Sequence, residues 1–167
     1  MTFTELNQLD PAERRRALEK CNGSRAWIEK MEGGFPVADP GALLAAADHA
    51  WQSCTVADWR EAFTHHPRIG DLNSLKKKFA GTAQWAAGEQ SGVNSAGEAL
   101  LQSLAAGNKA YEEKFGYIFI VCATGKSAAE MLDMLRQRLG NDPEKEIHIA
   151  MGEQQKITRL RLEKLLT

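Results

Sequence analysis

Three times in this chain an aspartate stands directly before a proline: Asp10-Pro11, Asp39-Pro40 and Asp142-Pro143. Each pair joins a side-chain oxygen able to accept from the first helical amides to a ring whose fixed φ and missing N–H suit the first turn. Ser24, Thr55 and Ser127 offer caps without the proline, and Glu130 follows Ser127 at capping-box spacing. Behind these starts, apolar residues recur at the helical period: Trp27, Ile28 and Met31; Leu43, Leu44, Ala47, Trp51 and Cys54; Leu100, Leu104, Tyr111 and Phe115; Ala128, Leu132, Leu135 and Leu139. The pattern predicts helices from 11 to about 20, from Ser24 to Gly33-Gly34, from 40 through Cys54, and over Trp59 and Phe63. A further helix starts at Gly81 or Thr82 and stops at Ser91-Gly92. Ser95 caps the next, Gly140 ends the one after Ser127, and the last opens at Pro143.

One run departs from that habit. Residues 115–123, Phe-Gly-Tyr-Ile-Phe-Ile-Val-Cys-Ala, are β-branched and aromatic. No second run of that quality exists to pair with it, and a lone strand leaves its backbone groups unmet. It is therefore either a short buried extended connector or a continuation of helix. As a connector, its main-chain amides and carbonyls would suit a ligand. The expected fold is all-α: a single-domain multi-helix bundle over 1–167, with one short buried extended segment near 117–123.

A chain of 167 residues can bury a full core without staples. Its formal net charge of −1 argues against a nucleic-acid surface, which needs a basic face. No apolar run is long enough for a bilayer, and the N-terminus lacks a signal-peptide pattern. Cys21, Cys54 and Cys122 are odd in number and form no CxxC, so a reducing compartment, the cytoplasm, is expected. The C-terminal Leu165-Leu166-Thr167 is not a peroxisomal address.

Candidate chemistry gathers at His65-His66-Pro67-Arg68-Ile69-Gly70-Asp71. Pro67 disfavours helix at His66, which holds that imidazole on a stiffened backbone suited to proton transfer. The same residues also read as a plain helix end. On the last helix Ile147, Ala150, Gln154, Ile157, Leu160 and Leu165 define an apolar face. Arg161 falls near its middle, while Arg159 points to the polar side. A guanidinium turned inward needs an anion. The alternatives are an internal ion pair with Asp71 or Glu89, a side chain that snorkels to water, or a clamp on the carboxylate or ureido group of a ligand. Glu89 shares a helix side with Trp85 and Ala86, where partial desolvation would make it hold its proton; a solvated helix-end acid is the plainer alternative. Lys76-Lys77-Lys78 reads as a solvated face. No HxH, HExxH or phosphate loop is present, so no metal site is expected. Cys122, in an apolar run, reads as packing.

Four blocks, in order along nearly the whole chain, resemble the OHCU decarboxylase family. They are His65 to Asp71, Trp85-Ala86-Ala87-Gly88-Glu89-Gln90-Ser91-Gly92, Lys114 to Ala123, and Lys156-Ile157 with Leu160-Arg161-Leu162. The resemblance implies an all-helical, cofactor-free decarboxylase, a homodimer. Its small-molecule substrate would be 2-oxo-4-hydroxy-4-carboxy-5-ureidoimidazoline, with no nucleic acid or membrane as partner. It implies His66 and Glu89 as catalytic residues. Substrate contacts would come from Pro67, Ala86, Ala87, Gly88, Gln90, Phe119, Ile120, Val121, Cys122, Ala123 and Arg161. Many relatives carry Ser where this chain has Ala86, so one hydroxyl contact is missing. A helical binding module that uses such a pocket without turnover is the alternative.

Overall fold

The computed structural model of the chain describes residues 1–67, 72–79 and 90–167, side chains included except at 78 and 90–96. It divides into two compact units, Met1–His66 with Ile147–Thr167, and Pro67–Glu146.

The first unit is built by capped helices. In α1 (Phe3–Gln8) Thr2 and Glu5 form a reciprocal capping box. The expected Asp-Pro devices open α2 (Pro11–Glu19) and α4 (Pro40–Gln52), where Asp10 accepts from Ala12 and Glu13, and Asp39 from Ala42. Ser24 caps α3 (Arg25–Glu32), and Thr55 with Asp58 boxes α5 (Val56–Thr64). Three indoles anchor the core, and each donates its N–H to a main-chain carbonyl: Trp27 to Ala47, Trp51 to Met151 and Trp59 to Trp51. These bonds let large rings be buried without an orphaned donor. Leu6, Leu18, Leu43, Phe63, Ala150 and Leu162 pack among them.

The second unit holds α6 (Leu72–Phe79), α7 (Gln90–Phe115) and α8 (Ala128–Leu139), together with the first turn of α9 (Pro143–Leu165). Two expectations are corrected here. Ser91-Gly92 does not stop a helix and Ser95 does not cap one, because α7 is already helical from Gln90 and runs through all three. Serine and glycine cost a helix about 1 kcal/mol or less per residue, too little to end one that packing favours. Gly116, at φ +80°, then ends α7 and donates to the Glu112 carbonyl. Lys114 reaches the carbonyls of Leu139, the last residue of α8, and of Asn141 just beyond it. Exposed Lys76 pairs with Glu98 at 2.9 Å, in keeping with a solvated face on α6.

Between α7 and α8 residues 116–127 are irregular, and no strand occurs among the described residues. The strand-like run at 117–123 is thus a connector, with Tyr117, Ile120 and Cys122 buried. On α9 the buried row is Ile147, Ala150, Gln154, Thr158 and Leu162, while Ile157, Leu160 and Leu165 are half-buried. The difference from the expected face is a row climbing mostly by fours, which drifts around the helix where the expected face was held straight. Arg159, on the side expected to be polar, is half-buried and meets Asp48 at 2.5 Å. No helix among the described residues is long and apolar enough to cross a membrane.

Candidate functional site

His66 sits in the turn that follows α5, its amide donating to the Phe63 carbonyl. Its neighbour His65, the last residue before that turn, packs its ring on Gly23. A Cβ at Gly23 would lie 2.2 Å from the His65 Cγ, so only glycine leaves room for the ring. The chain therefore enters the His66 turn against a fixed wall. The half-buried His66 ring places Nε2 2.5 Å from Oε1 of Gln154 on α9.

Gln154 belongs to a buried chain of polar groups. Its Nε2 donates to Thr158 Oγ1 at 3.1 Å, and Thr158 Oγ1 donates back to the Gln154 carbonyl at 2.9 Å. Asn22, in the α2–α3 link, also donates to Thr158 Oγ1. The Asn22 Oδ1 in turn accepts from the Ser24 amide at 2.9 Å. Asn22, Ser24, Gln154 and Thr158 are all 2% exposed or less, so the chain is sealed from water.

Arg161 lies on the same helix, half-buried. Burial holds the His66 pKa below its ordinary 6.5; the Gln154 bond opposes that shift, and the Arg161 and His65 charges add to it. Near neutral pH the ring is an uncharged imidazole beside a cation. Among the described residues Arg161 has no hydrogen-bond or ion-pair partner, and the two acids expected as internal partners, Asp71 and Glu89, lie outside them. Arg161 also acts on Cys21, whose thiol burial pushes up to about 11; burial does the same to Cys54.

In the second unit the connector is held by charge. Arg138, 5% exposed, donates through Nη1 to the Ile120 carbonyl at 2.6 Å and pairs with the fully buried Glu146 at 2.6 Å. Tyr111 donates its hydroxyl to Glu146, and burial with that bond holds its pKa far above the usual phenol value. Asn141 adds a bond to Glu146 at 3.1 Å, and the Arg138 guanidinium lies 4.5 Å from the Phe119 ring centroid. The sequence suggested that the connector's carbonyls could bind a ligand, but several are taken. Ile120 is held by Arg138, Cys122 by Lys126 Nζ at 2.9 Å, and Ala123 by the Lys126 amide. The amides of Phe119, Ile120 and Val121 meet no acceptor among the described residues.

Within the first unit His66 and Arg161 come into electrostatic reach of each other. Phe119 to Ala123 form the connector, and Pro67 is exposed. Ala86, Ala87, Gly88 and Glu89 lie outside the described residues, as do Arg68 to Asp71; Gln90 opens α7, its side chain likewise outside. Sequence reasoning missed Gln154, Thr158 and Asn22. The available signal was an amide on an apolar helix face with a hydroxyl one turn on, a pair that is buried only when bonded. It also missed Arg138, for which a cation within a leucine stripe was the clue.

The family model for OHCU decarboxylase matches residues 7–163. The uric acid degradation bifunctional protein TTL of Arabidopsis thaliana is 40% identical over 150 residues, 88% of this chain and 45% of that protein. The chain thus spans about half the length of that relative. The 2-oxo-4-hydroxy-4-carboxy-5-ureidoimidazoline decarboxylase of Amia calva is 33% identical over 138 residues, covering 80% of this chain and 75% of the relative. A crystal structure of OHCU decarboxylase in the presence of (S)-allantoin superposes with a TM-score of 0.69 at 36% identity, covering 89% of this chain and 95% of that one. The all-helical fold is thus shared with a solved OHCU decarboxylase. The chain belongs to the OHCU decarboxylase family.

Proposed function

We propose that this protein is a carboxy-lyase that converts 2-oxo-4-hydroxy-4-carboxy-5-ureidoimidazoline to (S)-allantoin in urate breakdown, with no cofactor. Beside the family match, one local observation carries the reading: an uncharged imidazole at His66 in the field of Arg161, a cation with no anion of its own among the described residues.

The substrate carboxylate hangs from a carbon next to a C=N bond. When the bond to CO2 breaks, its electron pair forms a C=C bond with the neighbouring ring carbon. The imine pair moves to nitrogen, which takes a proton. The hydroxyl proton then leaves and a proton enters the ureido-bearing carbon, which yields the ketone of allantoin. One net proton replaces CO2. The substrate is its own electron sink, so the protein has only to orient it and move protons. His66 exchanges those protons, and Arg161 pairs with the carboxylate or ureido group. Burial is the main cause of the lowered His66 pKa, and a carboxylate docked on Arg161 offsets the smaller part that its charge adds, so binding makes the ring a better base.

By the family resemblance Glu89 is the partner acid, and Pro67, Ala86, Ala87, Gly88, Gln90 and Phe119 to Ala123 are substrate contacts. Residues 1–167 serve as one domain, and the protein works as a homodimer in the cytoplasm. The test generates the intermediate from urate and follows allantoin by circular dichroism. The protein should speed its formation and make it one enantiomer, and His66→Asn should return the rate to the uncatalysed one. No acceleration by the wild type would leave a binding module instead.

A further inference from the structure

The bonds from Ser24 to His66 have a direction. A main-chain amide can only donate, so the Ser24 N–H fixes Oδ1 as the inward oxygen of Asn22 and turns Nδ2 toward Thr158. The single hydroxyl proton of Thr158 goes to the Gln154 carbonyl, the common back-bond of a threonine to the preceding turn. Its oxygen therefore receives both Asn22 Nδ2 and Gln154 Nε2. That leaves Gln154 with its oxygen facing the imidazole, and an amide oxygen can only accept. The proton between them belongs to the histidine.

We propose that Asn22, Thr158 and Gln154 are positioning residues that lock His66 as the Nε2–H tautomer and leave Nδ1 as the nitrogen that takes and returns the reaction's proton. An imidazole free in water exchanges between its two neutral forms, and whichever nitrogen is unprotonated is the base. Here a buried, uncharged relay chooses that nitrogen in advance. Protonation at Nδ1 then forms an imidazolium whose Nε2–H already points at a carbonyl oxygen, so no side chain has to turn when charge appears. The assignment rests on His66 being the proton-transfer group proposed above.

The test is nitrogen-15 NMR of the full-length, uniformly labelled protein, at a pH well above the imidazole titration. His66 should show the Nε2–H pattern alone. An Nδ1–H pattern, or averaged shifts of a mixture, would overturn the lock. Gln154→Met removes the acceptor and should turn the pattern into a mixture, with kcat falling tenfold or more and KM within about twofold. Gln154→Glu keeps an oxygen in place and should restore the Nε2–H pattern. An unchanged pattern in Gln154→Met would also overturn the lock; the wild-type spectrum decides the matter even if that variant does not fold. The two readings fail separately. A locked ring with full turnover in His66→Asn removes His66 from the chemistry and leaves the lock standing, whereas a mixed ring with inactive His66→Asn does the reverse.

Discussion

Asn22, Thr158 and Gln154 meet in the first unit without a formal charge among them, whereas Arg138 and Glu146 bury a full ion pair in the second. Both groups are sealed from water, yet they perform different work. The neutral chain ends on a side chain, His66, and sets which of its nitrogens carries hydrogen. The charged cluster ends on a main-chain oxygen, that of Ile120, and holds a stretch that has no strand to pair with. A neutral relay costs little to bury and leaves the ring it touches free to gain charge. An ion pair gives a stronger tether, at the risk of a stranded carboxylate if one partner is lost.

That difference should appear first in stability. Arg138→Met leaves Glu146 buried without its cation and should cost about 3–5 kcal/mol in urea unfolding. The double variant Arg138→Met/Glu146→Leu should recover most of it, and a double variant no more stable than the single would show that packing, not charge, is at stake. Thr158→Val strands two amide donors and should cost about 2 kcal/mol, clearly less than Arg138→Met. Equal losses would erase the contrast. The smallest effect is a titration. His66, desolvated by burial and faced by Arg161 and His65, should titrate below 6.5 in the wild type by proton NMR. Arg161→Gln should move the midpoint up, and Gln154→Met should move it down. Because the unfolded chain takes that proton first, this histidine's contribution to stability is intact above 6.5 and declines as the pH falls below it.

Much of this was legible in the residues. The Asp-Pro pairs and the lone caps placed α2 to α5, α8 and α9, since a cap and its proline act within one turn. The odd run at 117–123 was recognised as partnerless, which is why it could only be a connector or more helix. What the sequence hid is long in range. Nothing local links Asn22 to Thr158, 136 residues away, and Gln154 looked like one more member of an apolar face. The start of α7 was misplaced because Ser91, Gly92 and Ser95 speak for a break that tertiary packing overrides. Arg159 reads as a polar-side residue, and its partner Asp48 is not readable from one helix. Arg161, expected to face inward, is half-buried, and its expected acidic partners lie outside the described residues.

The buried thiols of Cys21 and Cys54 carry a consequence of their own. With values near 11, roughly one in ten thousand of either is ionised at neutral pH. An alkylating reagent will therefore find almost no nucleophile while the first unit stays shut. The rate at which Cys21 and Cys54 take up label becomes a clock for the breathing of that unit, wound into the chain with no added probe.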